Sequence, residues 1–174
     1  MVPSNQIEAA FLAETINRLN RSFSRIEHCL EQIDHQEIWW RPNDNINSIG
    51  NLILHINGNL RQWILHGLGG EDDVRDRPTE FEGHVEMTKQ NLNTLLTNLK
   101  TQLENTLNNF DNKKLLQKVR IQGFDVSLLN ATYGTMTHLE GHTGQIIYIT
   151  RMQKGTDYKL FWTPETIEQE AKKI

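Results

Sequence analysis

Apolar residues recur at Leu12, Ile16, Leu19, Phe23, Ile26, Leu30 and Ile33, in steps that alternate four and three. This spacing predicts a long amphipathic helix whose stripe packs on other helices. Arg18, Arg21, Arg25, Glu27 and Glu31 fall away from the stripe and face water. The segment Trp39-Trp40-Arg41-Pro42-Asn43-Asp44-Asn45 interrupts the pattern. Proline disfavours helical geometry in the residue before it, and Asn and Asp favour turns. A second helix begins near Asn47 or Ser48, either of which can cap it, and runs to about His66. Ile49, Leu52, Ile53, Ile56, Leu60, Trp63 and Ile64 give it a broad apolar face, and Gly67, Gly69 and Gly70 end it.

The stretch from Glu71 to Gly83 is charged, carries Pro78 and has little helical period, so it reads as a long crossover. A third helix, from about His84 to Phe110, has Leu92, Leu96, Leu99, Leu103, Leu107 and Phe110 on its buried side. The period then changes. Val119, Ile121, Phe124 and Val126 alternate with polar residues across Gln122-Gly123, which is either a short β-hairpin or an extended loop. A fourth helix spans about Asn130 to Lys154 and stops near Gly155. The tail from Tyr158 is aromatic at first and is expected to cover one end of the bundle before a short charged helix. The economical architecture is an all-α four-helix bundle with one long crossover between the second and third helices. The short 34–47 connection predicts that the first two helices are antiparallel neighbours. The crossover leaves room for the third to run parallel to the second.

Length and composition narrow the picture further. The 174 residues suit one domain, 1–174, with a sizeable core. No apolar run approaches the roughly 20 residues of a membrane span, and the first residues lack the features of a signal peptide. A net charge of −4 without a basic patch argues against nucleic acid as a partner. The single cysteine, Cys29, excludes an internal disulfide and fits a reducing cytoplasm; it reads as a small core or interface residue.

The candidate chemistry lies in the seven histidines. His138 and His142 are four apart in a helical segment, so they differ by roughly 40° around the axis and one turn along it, and both rings can reach one metal ion. The spacing is that of helix-borne zinc sites, although His138-Leu139-Glu140-Gly141-His142 lacks the glutamate that directly follows the first histidine in HExxH. Gly134, Gly141 and Ile149 lie within about 60° of the pair, which predicts a close helix–helix approach there and an inward face. His55 is the best third ligand. It shares its side of the second helix with Ser48, Asn51, Asn59, Gln62 and His66, a polar stripe that reads as a lined cavity or, alternatively, as a solvated face. Gln145 and Asn59 are candidates to orient a ligand or bound water. His28, His35 and His84 read as solvated or loop residues, and His66 as a partner of the helix dipole. Arg75-Asp76-Arg77 reads as a solvated loop, or as an anion-binding rim above the metal. Three imidazoles suit zinc, nickel, copper or iron.

The segments Ser48-Ile49-Gly50-Asn51-Leu52-Ile53-Leu54-His55-Ile56 and His138-Leu139-Glu140-Gly141-His142-Thr143-Gly144-Gln145-Ile146, with Arg61-Gln62-Trp63-Ile64 and Arg75-Asp76-Arg77-Pro78, make the chain resemble the DinB/YfiT-like superfamily. Within it the likeness is to a branch of uncharacterised small bacterial proteins, and it spans nearly the whole chain. The resemblance implies a four-helix bundle and one divalent metal, nickel or zinc, held by three histidines that map onto His55, His138 and His142. It also implies a homodimer and, where members have known activity, thiol-dependent chemistry on small molecules. Thr143 departs from the pattern, since many members carry arginine after the last histidine.

Two functions follow as expectations. One is a metal-dependent enzyme acting on a small-molecule substrate, such as a thiol S-transferase. No general base is evident, because Glu140 points away from the histidine pair, and that favours a thiolate over hydrolysis. The other is a non-catalytic dimeric binding protein with a structural metal, suggested by the apolar Leu139, Ile146, Ile147 and Tyr148 on several sides of the fourth helix.

Overall fold

The apolar stripe of the first helix becomes the inner face of α1 (Ser4–Gln32), with Leu12, Leu19, Phe23, Ile26 and Leu30 buried. The structure, a computed structural model, describes residues 4–82 and 87–163, with side chains from residue 6 onward. His84 and the expected charged terminal helix lie outside the described residues. α1 is followed by a separate turn of helix, α2 (His35–Trp39), which begins in a capping box: Asp34 accepts from the Glu37 amide at 2.9 Å, and Glu37 accepts from the Asp34 amide at 2.8 Å.

α3 (Ile49–Leu60) is capped by Ser48, whose hydroxyl accepts from the Asn51 amide at 3.1 Å. It continues into a π-helical turn over Arg61–His66 and ends at Gly70, where φ is +75°. Such wide turns recur at functional sites. The crossover carries a 3₁₀ turn at Pro78–Glu80. α4 (Lys89–Asn109) starts at the cap Thr88 and buries Leu92, Leu96, Leu99, Leu103 and Leu107. The change of period that follows is a β-hairpin. β1 (Lys118–Ile121) pairs antiparallel with β2 (Phe124–Ser127), Lys118 opposite Ser127 and Ile121 opposite Phe124. Gln122 and Gly123 both have positive φ, 52° and 84°, as a two-residue turn of this hand requires. α5 (Leu128–Lys154) is capped by Ser127. The fold is thus mainly helical with a two-stranded sheet.

Contacts between side chains fix the helix directions. Ser22 and Arg25 meet Glu140, and Glu37 at the far end meets Lys154, so α1 and α5 run parallel. His55 meets His138, while Leu52 shares a groove with Ile149, so α3 runs against α5. Arg61 bonds to Gln102 and Gly69 lies against Thr106, so α4 runs parallel to α3, as the length of the crossover suggests. α1 packs on α5 and α4, and α3 packs on the same two helices. The first two long helices are therefore antiparallel but not neighbours: they stand diagonally across the bundle. The reason is the linker, since α2 and the loop after it span the bundle end and carry the chain to the far corner. One apolar cluster fills the centre. The aromatic tail lies beside α1, where Tyr158 and Phe161 meet the His28 ring edge-on and Lys159 bonds to Gln32. No described helix is long and apolar enough to cross a membrane.

Candidate metal centre

The antiparallel packing of α3 on α5 brings His55, His138 and His142 together. His138 Nε2 lies 3.1 Å from His55 Nε2 and 3.1 Å from His142 Nε2. One ligand nitrogen from each of the three rings falls within 4.8 Å of the others. His55 is buried, and the other two are half-buried.

The outer nitrogens define what the inner ones can do. His55 Nδ1 lies 2.8 Å from Glu80 Oε2, and a carboxylate only accepts, so Nδ1 carries the proton and Nε2 presents a lone pair. His142 Nδ1 lies 2.7 Å from the amide oxygen of Gln145, with the same consequence. Two lone pairs therefore converge on His138 Nε2, which can offer a hydrogen to one of them at most. Three nitrogens with no more than one proton among them form a cluster that a cation satisfies and hydrogen bonding among the rings alone cannot. The spacing fits as well. At metal–nitrogen distances of roughly 2.0–2.1 Å, ligand pairs stand about 2.9 Å apart at right angles and about 3.3 Å apart at tetrahedral angles. The 3.1 Å observed for both pairs that include His138 lies between.

Protonation favours the same reading. Burial, then the positive fields of His142, His55 and Arg75, push His138 down to about 4, so it is neutral at pH 7. Burial also lowers His142, with the Gln145 hydrogen bond opposing. Neutral imidazole is the form that binds metal.

The support behind His55 comes from the crossover. Arg75 clamps Glu80 with two bonds, Nε to Oε1 at 2.7 Å and Nη2 to Oε2 at 2.9 Å. Arg75 Nη1 donates to Gln62 at 2.9 Å, and Gln62 donates to Asp73 at 2.9 Å. Asn51 donates to the Glu80 carbonyl at 3.1 Å. Burial pushes the Glu80 carboxyl up, but hydrogen bonds and charge from Arg75 and His55 outweigh it and hold the group below the usual carboxylate range. Gly58 makes this possible, because a Cβ there would overlap the Glu80 carboxylate. The Phe81 ring then covers His55, with centroids 5.0 Å apart.

A cavity of about 350 Å³ opens beside His55 and His138. Asn59 lines it but makes no hydrogen bond to any of the three imidazoles, and its Oδ1 is buried without a partner among the described residues. An unmet buried acceptor costs about 1–3 kcal/mol.

Several expectations change here. The Gly134 and Gly141 positions do not mark a close helix approach, because a Cβ at either would meet open space. The histidine pair instead sits at the edge between the α3-facing and outward sides of α5. Arg75 is not part of a solvated loop; its side chain is 3% exposed. His66 lies off the site and bonds to the Glu71 carbonyl at 2.6 Å, because the π turn rephases the helix before it. Glu140 does point away, towards Ser22 and Arg25 on α1. Thr143 is fully buried and back-bonds to the Leu139 carbonyl, so the site has no basic residue at that position. Cys29 is a core residue whose thiol burial pushes up, although hydrogen bonds from Thr150 and Tyr158 oppose the shift.

Residues 6–166 match the family described as "Protein of unknown function (DUF1572)". The chain belongs to that family. Among solved structures, a conserved protein of Enterococcus faecalis superposes with a TM-score of 0.67 at 20% identity, over 80% of this chain and 94% of that one. At that identity the likeness shows the fold alone. No curated protein matches the chain.

Proposed function

We propose that His55, His138 and His142 hold one divalent metal ion, zinc or nickel, and that the protein is a metal-dependent enzyme acting on a small molecule, with thiol S-transfer as the best-supported reaction. The observation that carries the metal reading is the convergence of two lone-pair nitrogens on a third at 3.1 Å each. When bound, the ion supplies Lewis acidity that lowers the pKa of a coordinated thiol or water. The chain's own part is positioning. Glu80 and Gln145 fix the tautomer and rotation of His55 and His142. Arg75 and Gln62 keep Glu80 in place, which leaves that carboxylate committed.

No carboxylate lines the adjoining cavity among the described residues. A reaction that needs a strong general base is therefore poorly served, and a thiol, which loses its proton readily, is well served. The fold and the order of the histidine segments support placing the chain in the DinB/YfiT-like superfamily. A cytoplasmic location accords with the single cysteine, Cys29, which is buried and free.

The test is a screen of low-molecular-weight thiols against electrophilic acceptors, using protein loaded with zinc or with nickel. Turnover that disappears in His138→Ala supports transfer. No turnover with any thiol on metal-loaded protein removes it.

A second reading, a dimeric binding protein with a structural metal, is favoured by exposed Tyr133, Tyr148 and Met152 on α5. A homodimer is proposed under either reading. Sedimentation equilibrium that returns the monomer mass at micromolar concentration contradicts it.

A further inference from the structure

The cavity beside the histidines has a charge that describes its occupant. Two cations line it, Arg75 and Arg77, and no carboxylate does among the described residues. Arg75 is committed to Glu80. Arg77 forms no ion pair among the described residues; its guanidinium lies over the Phe81 ring, 5.5 Å from the centroid. Phe81 in turn covers His55, so Arg77, Phe81 and His55 form one stack from the rim to the histidine cluster. A cation held on an aromatic face keeps its in-plane donors free for an anion.

The walls add specificity. Asn59 adds an uncharged polar side chain to the wall, with its Oδ1 turned away from the open space. Gln122 reaches the wall from the hairpin tip, where it holds φ at +52°, a conformation that costs energy for a non-glycine residue. Trp63 supplies an apolar flank. A volume of about 350 Å³ falls at the small end of the roughly 300–1,000 Å³ typical of small-molecule sites.

We propose that this cavity binds a small organic carboxylate, with Arg77 pairing with the carboxylate. The ligand's remaining end faces His55 and His138. The inference deepens the metal-enzyme reading and rests on it only for that end; the selection of an anion rests on Arg77 alone. It names the substrate class as a small organic acid, rather than a neutral or cationic thiol.

N-acetylcysteine and its uncharged amide form a matched pair of probes, since both carry the thiol and the N–H and only one carries the carboxylate. Their binding to zinc-loaded protein is measured by calorimetry, with zinc content determined on the same samples. The acid is expected to bind roughly tenfold more tightly than the amide. In Arg77→Gln the preference is expected to fall to within about twofold, chiefly through weaker binding of the acid. Arg77 is exposed, so that variant keeps its fold. Succinate and succinamide, which carry no thiol, repeat the comparison without help from the metal end. A charge preference for succinate that vanishes in Arg77→Gln supports the cavity even if the protein retains no zinc, which separates this inference from the metal reading. Equal affinity for acid and amide, a preference untouched by Arg77→Gln, or no saturable binding of any of the four in the millimolar range overturns it.

Discussion

Glu80 Oε2 lies 2.8 Å from His55 Nδ1, across a gap of 25 residues in sequence. This bond ties the crossover to the histidine cluster. It sets the tautomer that turns the His55 lone pair towards His138, and it gives the buried carboxylate a third hydrogen bond beside the two from Arg75.

Glu80→Gln is therefore expected to weaken metal binding by about 10–100-fold, the usual effect of losing a carboxylate behind a metal-bound imidazole. Competition with a chelator of known affinity measures it. Glu80→Ala should in addition destabilise the fold by about 3–5 kcal/mol, because it leaves Arg75 buried and unpaired. Urea denaturation of the metal-free proteins isolates that second effect. Wild-type affinity in Glu80→Gln contradicts the role assigned to this bond.

Gly58→Ala gives a prediction whose sign is informative. Helix propensity alone favours alanine over glycine by about 1 kcal/mol. The new methyl group would collide with the Glu80 carboxylate, so the variant is expected to be less stable and to bind metal more weakly. A rise in thermal stability with unchanged metal affinity shows that Glu80 is not seated as described.

Gln145→Leu should have a smaller effect than Glu80→Gln. Its amide is exposed and neutral, and it orients one half-buried ring by a single bond of 2.7 Å. A loss of up to about tenfold in metal affinity is expected, with little change in stability. Isothermal titration of both variants under one buffer condition tests the ranking, which fails if Gln145→Leu is the more damaging.

The metal-free protein should lose stability as pH falls below neutral. His138 titrates near 4 in the fold and near its ordinary value of about 6.5 when unfolded. Between those values the unfolded chain binds more protons, so stability drops as pH falls through the window. Glu80, held below its ordinary range, adds to the same trend at lower pH. Urea midpoints from pH 7 to 4.5 should decline in the wild type and decline less in His138→Ala. Parallel slopes contradict the assignment.

Local signals were legible in the sequence, and long-range ones were not. The stripe from Leu12 to Ile33 and the four-residue step from His138 to His142 are local periodicities, and the fold keeps both. The alternation around Gln122-Gly123 showed a change of period, and the positive φ angles decide for a hairpin. Arg75 read as part of a solvated loop or an anion-binding rim and Glu80 as one more charge of the crossover, because nothing in a one-dimensional pattern says which ion pair will be buried. Gly58 was the one local sign, an isolated glycine inside an apolar helix, which marks a close approach. Gly134 and Gly141 carry the same sign yet face open space, so composition cannot say which side of a helix a neighbour takes. The diagonal placement of α1 and α3 depends on α2, whose five residues are too few for periodicity to show.

The most direct test is the metal content of native protein purified without chelator, by elemental analysis, beside His55→Ala, His138→Ala and His142→Ala. Close to one divalent ion per chain is expected in the wild type, with a large loss in each variant. Less than about a tenth of an equivalent in the wild type, with no change in content or stability in the variants, contradicts it.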